Sequence, residues 1–243
     1  MTRIHVPEPL AVDARFALPE AAARHVAQVL RMRQGELLTL FNGAGGEYDA
    51  VIEAVDRRTV QVRVENYREV ERESGLSVTL AQCVSKGERM DYTIQKAVEL
   101  GVAAIVPLLS ARSVVKLDSE RWEKKLEHWR GVVVSACEQS GRTALPHVQP
   151  VRKLDAWLAA AGQGPRFVFA PGGHHALKQL PPAQAATLLV GPEGGLSDEE
   201  IALAVHRGFT AIGLGPRVLR TETAGVAALA ALQALWGDLG SLG

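Results

Sequence analysis

Leu188 to Glu200, LLVGPEGGLSDEE, is the stretch on which the reading of this chain turns: an apolar strand-like run, a turn of Gly191, Pro192, Glu193, Gly194 and Gly195, and the opening of a helix. Ser197 followed three residues later by Glu200 has the form of a capping box, and Gly208 is placed to close the helix. A tidy strand-to-helix turn is the plainest reading. Three glycines and a proline exceed what such a turn requires, and ligands in open α/β sheets sit at the carboxyl ends of strands. Leu214 to Gly225, LGPRVLRTETAG, repeats the arrangement after the strand AIGL and before an alanine-rich helix. Glycine lets backbone approach a ligand closely, and a helix N-terminus offers unpaired N–H groups, so two such loops side by side can grip a polar small molecule through main chain. Thr221 as N-cap and Glu222 in the first turn account for the second helix start; they leave Arg217 and Arg220 unexplained.

Working outward, VTLAQCV, AAIVPLL, FVFA, TLLV and TAIGLG read as short strands, and SVVKL as a further one. MDYTIQKAVELG reads as a helix ended by Gly101. A longer helix starts at Ser119, carries Trp122, Leu126, Trp129 and Val133 at helical spacing, and has Gly141 as its C′ residue. Strands alternating with helices predict an α/β domain, a mostly parallel sheet with helices on both faces. Before about Val70 the texture differs. RIHV, GELLTLF, EYDAVIEAV and TVQVRVENYREV alternate with turn signals, and one helical insert, AAARHVAQVLRM, follows Pro19, which predicts a small β-barrel or curled sheet. Val70 to Gly75 reads as a linker. Two domains on either side of it are expected.

Composition narrows the function classes. Lys and Arg number 27 and Asp and Glu 27, so no global field drives the 243-residue chain onto nucleic acid or anionic lipid, and RNA contact must be local. His25, Arg31 and Arg33 around the helical insert form one candidate phosphate-facing patch, with a solvated helix end as the alternative. Two cysteines, Cys83 and Cys137, without a CxxC, fit a reducing cytoplasm. MTRIHVPEPL lacks a signal-peptide core and GVAALAALQALW is too short to span a bilayer, so a cytoplasmic protein with no membrane partner is expected. His174 and His175 are adjacent and the other histidines isolated, so no metal is expected. Walker A, GxGxxG, GxSxG and Cys-His signatures are absent.

Taken together, RIHV, HVAQVLRM, KGERMDYTIQKAVELGV, ACEQSGR, LLVGPEGG and LGPRVLRTETA resemble the bacterial 16S ribosomal RNA uridine-N3 methyltransferases of the SPOUT superfamily, from Arg3 to the last helix. The resemblance implies a PUA-like, RNA-binding β-barrel over residues 1–72, a SPOUT-type catalytic domain over residues 75–243 with a trefoil knot, a homodimer, S-adenosyl-L-methionine as cofactor, and 16S rRNA within the small ribosomal subunit as partner. It places the cofactor on Val190, Gly191, Gly195, Leu214, Gly215, Val218, Leu219 and Thr223. Methylation at N3 of a neutral uridine requires loss of the N3 proton. Arg220 or Arg217 is expected to stabilise the anionic oxygen, and Glu222 to accept the proton or fix the arginine. Lys86, Glu138, Gln139 and Arg142 are expected at an RNA-facing rim, with Arg31 and Arg33 on phosphates. Two other readings stay open: a 2′-O-ribose methyltransferase of the same superfamily, and a non-catalytic RNA-binding assembly factor.

Overall fold

The computed structural model describes residues 2–113, 115, 118–160, 162, 164–170, 173, 175 and 177–240. They fall into two compact units, Met1–Glu73 with Cys137–Leu145, and Ser74–Ala136 with Pro146–Gly243.

In the first unit, β1 (Thr2–His5) and β2 (Arg15–Ala17) precede a short α1 (Glu20–Arg24), and β3 (Leu37–Phe41), β4 (Glu47–Val55) and β5 (Val60–Arg68) follow. They form one sheet in the order β1-β3-β4-β5-β2, parallel at β1/β3 and antiparallel elsewhere, with β1 and β2 as its edges. Side chains two apart bury on one face: Leu38 and Leu40, Ala50 and Ile52, and Val60, Val62 and Val64 are fully buried. The expected continuous helical insert is interrupted. After α1 the backbone widens into a π turn at His25–Val29, where Leu30 N–H reaches back to His25 O, and Arg31 then adopts φ 56, which no right-handed helix can continue through.

The segment Cys137–Leu145 joins this unit through charge. Arg142, only 7% exposed, is ion-paired to Glu73 through Nε at 2.9 Å and through Nη2; its carbonyl accepts from Arg3 Nη2 (2.8 Å), and the His5 N–H donates to Glu138 Oε1 (3.0 Å). Buried Glu47 gathers three arginines: Arg3, Arg68 (2.9 Å) and Arg72 (2.7 Å). Burial first, and then the neighbouring Arg72 charge, pull Arg3 below the ordinary arginine range.

The second unit alternates strands and helices as expected: β6 (Ser77–Cys83), α2 (Arg89–Glu99), β7 (Ala104–Leu109), α3 (Ser119–Ser140), β8 (His147–Val148), β9 (Arg152–Lys153), α4 (Leu154–Ala159), β10 (Arg166–Phe169), β11 (Ala185–Val190), α5 (Asp198–His206), β12 (Thr210–Ile212) and α6 (Thr221–Trp236). The last turn of α3 is the part that belongs to the first unit. Of the strand expected in SVVKL, residues 113–117, positions 114, 116 and 117 lie outside the described residues, and Ser113 and Val115 are in no strand. Every pairing is parallel, in the order β12-β10-β11-β6-β7-β8, with β9 also on β7. Alternate residues of β6 sort the two faces. Ala81 and Cys83 pack with Leu154, Trp157 and Phe209 on the α4/α5 side, while Leu80 and Gln82 face α6 at Gly225. Gly101, Gly141 and Gly208 all take positive φ where helices end. Trp129 is fully buried with its indole N–H on Asp91 (3.1 Å). Among the described residues no helix is long and apolar enough to cross a membrane.

Candidate active site

The β11/α5 loop and the β12/α6 loop come together at the carboxyl ends of two parallel strands that flank β10, and line one cavity of about 790 Å³. Phe169, Ala170, Ile212 and Leu214 give it an apolar wall; Gly191, Gly195 and Gly215 supply bare backbone. Gly191 is a steric requirement: a Cβ there would lie 2.8 Å from Leu196 N and 3.0 Å from Gly195 C.

What closes the two loops on one another is a buried relay. Thr221 Oγ1 donates to Gly191 O (2.6 Å) and accepts from Gln82 Nε2 (2.9 Å), whose other short bond goes to Cys83 O (3.0 Å). Thr221 is therefore not the N-cap. Arg220 occupies that position without a side-chain bond, and the threonine hydroxyl is used across the sheet end. Gln82, fully buried, was not singled out from sequence, although an amide within the apolar run VTLAQCV was a visible signal.

The first loop is braced from outside. The Lys86 N–H and Arg89 Nη1 both donate to Glu193 Oε1 at 2.8 Å, and Arg112 Nη1 donates to Gly194 O (2.9 Å) and Leu196 O (3.3 Å). The expected capping box is formed, with Ser197 Oγ accepting from Glu200 N (3.2 Å) and Glu200 Oε2 from Ser197 N (2.9 Å). Burial pushes the Glu193 carboxyl up, but the Lys86 amide, its own amide and the Arg89 guanidinium together outweigh that and hold it below the usual carboxylate range. Glu193 is thus occupied as a strut.

The second loop stands open. Val218 is 94% exposed, and the exposed side chains of Arg217 and Arg220 have no hydrogen bond or ion pair among the described residues. Glu222 Oε1 faces Arg89 Nε at 3.8 Å, and its buried Oε2 has no partner among the described residues, so the arginine this carboxylate fixes is Arg89 and not Arg220.

Of the expected cofactor residues, Val190, Gly191, Gly195, Leu214, Gly215, Val218 and Leu219 line the cavity; Thr223 is exposed and does not. Arg217, Arg220 and Glu222 line it as well. Of the expected RNA contacts, Arg31, Arg33, Lys86 and Gln139 are exposed. Arg142 is not available, being buried on Glu73, and Glu138 is engaged by the His5 amide, because both belong to the ionic seam of the first unit. Among the described residues no three His, Cys, Asp or Glu side chains lie close enough to hold a metal ion, and Cys83 and Cys137 are free thiols pushed up by burial to about 12 and about 11.

A parallel sheet whose two glycine loops face one cavity is the arrangement of a small-molecule-binding α/β enzyme. A family model described as an RNA methyltransferase domain matches residues 72–233, and one described as an RNA methyltransferase PUA domain matches residues 18–65. The chain belongs to this RNA methyltransferase family. It is 34% identical to the ribosomal RNA small subunit methyltransferase E of Buchnera aphidicola, over 98% of this chain and 97% of that one. Among solved structures, a putative methyltransferase from Legionella pneumophila with bound cofactor SAM superposes with TM-score 0.96 at 44% identity, covering 98% of this chain and 99% of the other. The ribosomal RNA small subunit methyltransferase E from Neisseria gonorrhoeae bound to S-adenosyl methionine gives 0.92 at 40%, with the same coverage.

Proposed function

We propose that the chain methylates N3 of a uridine in small-subunit ribosomal RNA with S-adenosyl-L-methionine as methyl donor. The observation that carries this is the single cavity closed by two glycine loops through Thr221 and Gly191. Its residues suit that donor: an apolar wall of Phe169, Ala170, Ile212 and Leu214 for a flat heteroaromatic ring, bare backbone at Gly191, Gly195 and Gly215, and acidic Glu222, one oxygen of which has no partner among the described residues. When bound, the donor supplies an electrophilic methyl carbon. The protein's part is to seat the uracil, favour its N3 anion and hold that nitrogen in line with the methyl carbon. Arg217 and Arg220, free at the mouth of the cavity, close on the substrate. Lys86 and Gln139 are exposed for RNA, and Arg31 and Arg33 give the first unit its own phosphate contacts. The reading includes the trefoil knot, a homodimer, and the ribosomal subunit as the setting of the RNA.

Incubation with small-subunit rRNA and the donor, followed by nucleoside mass analysis, tests the proposal. 3-Methyluridine is expected; a ribose-methylated nucleoside, or no product despite calorimetric binding of the donor, would overturn it. Light scattering at micromolar concentration checks the dimer, which a monomer mass would exclude.

A further inference from the structure

Stabilising an anion that exists only while the reaction proceeds calls for a cation fixed in place beforehand, because a mobile one must be ordered at the moment of need. Of the arginines lining the cavity, Arg217 and Arg220 have no partner among the described residues. Arg89, at the first turn of α2, is held from two sides at once: Nη1 lies 2.8 Å from Glu193 Oε1 in the first loop, and Nε lies 3.8 Å from Glu222 Oε1 in the first turn of α6. Glu193 is itself anchored by the Lys86 amide at 2.8 Å. The remaining nitrogen, Nη2, has no partner among the described residues, and the side chain is 44% exposed on a residue that lines the cavity.

We propose that Arg89 is the preorganised cation that receives the negative charge of the ionised uracil, with Glu193 and Glu222 as its two holders. The inference rests on the N3-methylation reading. In the step concerned, the N3–H bond breaks with its electron pair left on the ring, the proton passes to water, and the charge spreads onto the flanking carbonyl oxygens, to one of which Arg89 Nη2 donates. Two carboxylates bear on one guanidinium: Glu193 in the loop after β11 contributes a charge-assisted hydrogen bond, and Glu222 in the first turn of α6 a longer ionic contact. The charged groups that share the cavity with it are Glu193, Glu222, Arg217 and Arg220.

The test compares RNA transcribed with uridine and RNA transcribed with 5-fluorouridine, whose ring nitrogen ionises more readily. In Arg89→Met, transfer to uridine RNA should fall by about 100-fold or more, the usual cost of removing one charge-stabilising donor. On the fluorinated RNA the loss should shrink to under about tenfold, as substrate acidity replaces the missing cation. Arg89→Lys should recover part of the activity. Glu193→Gln, which unpins Arg89 without removing it, should move the same ratio in the same direction by a smaller factor, and serves if Arg89→Met is poorly folded. Without the methyl donor, wild-type protein should prefer fluorinated over uridine RNA increasingly as pH rises, and Arg89→Met should lose that preference. Equal losses on the two RNAs, or an unchanged binding preference, would overturn the assignment. A wild-type protein that makes no 3-methyluridine would sink the underlying reading, whereas one that does so while Arg89→Met loses activity equally on both RNAs would sink only the role of Arg89.

Discussion

The loop after β11 and the loop after β12 share a cavity and a glycine-rich composition, yet they are built in opposite ways. The first is clamped: two arginines from other parts of the chain, a capping box and a buried threonine hydroxyl all bear on six residues. The second begins a helix with no side-chain cap and leaves Arg217, Val218 and Arg220 in solvent. A site made this way divides the work. The clamped loop offers a preformed backbone surface at little ordering cost, and the open one can close on what arrives.

Breaking the join between them should have the largest effect. Thr221→Val removes both the short donor to Gly191 O and the acceptor of Gln82, leaving the longer Gln82 Nε2 contact to Gly191 O (3.4 Å) and the Gln82 bond to Cys83 O, at a cost of about 1–3 kcal/mol in all. Chemical denaturation should register the loss, and methyl-donor affinity should fall with it. Next, Gly191→Ala and Gly215→Ala contrast the loops directly. The first drives a Cβ into backbone and should cost about 2 kcal/mol with at least tenfold weaker donor binding by calorimetry. The second meets open space and suffers only the strain of φ +85, about 1–2 kcal/mol, with donor binding less affected than in Gly191→Ala.

A smaller effect separates the loops by pH. Glu193 has its carboxyl held below the ordinary value of 4.5, so its contribution to the folded state is present above that value and disappears as pH falls through the lower, folded one. The thermal midpoint of wild type should therefore decline below about pH 4.5 more steeply than that of Glu193→Gln. The least change is expected from Val218→Ala, within about 0.5 kcal/mol of wild type in denaturation because the side chain is 94% exposed. A larger destabilisation there would mean that the second loop is packed after all.

Local chemistry was what the sequence made legible. The capping box at Ser197, the terminating glycines and the strand-to-helix alternation each depend on residues a few positions apart, and the cavity forms where the two glycine loops pointed. The braces of the first loop depend on separations of 82 residues for Arg112 to Gly194 and 104 for Arg89 to Glu193, and only the folded sheet brings those partners together. Thr221 shows the same limit from the other side. Its position beside a helix start suggested a cap, and only the neighbouring strand ends reveal that its hydroxyl spans to Gly191. Arg142 looked like a solvent-facing arginine after a helix, but the carboxylate that buries it, Glu73, lies 69 residues earlier.

That last pairing makes the N-terminal unit discontinuous in the chain, since it is finished only when Cys137–Leu145 returns to it. A fragment ending at residue 73 would keep Glu73 and the His5 amide while discarding Arg142 and Glu138, their partners, and would leave Arg3 with Glu47 but without the Arg142 carbonyl. It follows that this unit cannot be lifted out or exchanged by a single cut; its autonomy has to be sought by grafting the returning nine residues onto it, and its inheritance is tied to that of the catalytic half.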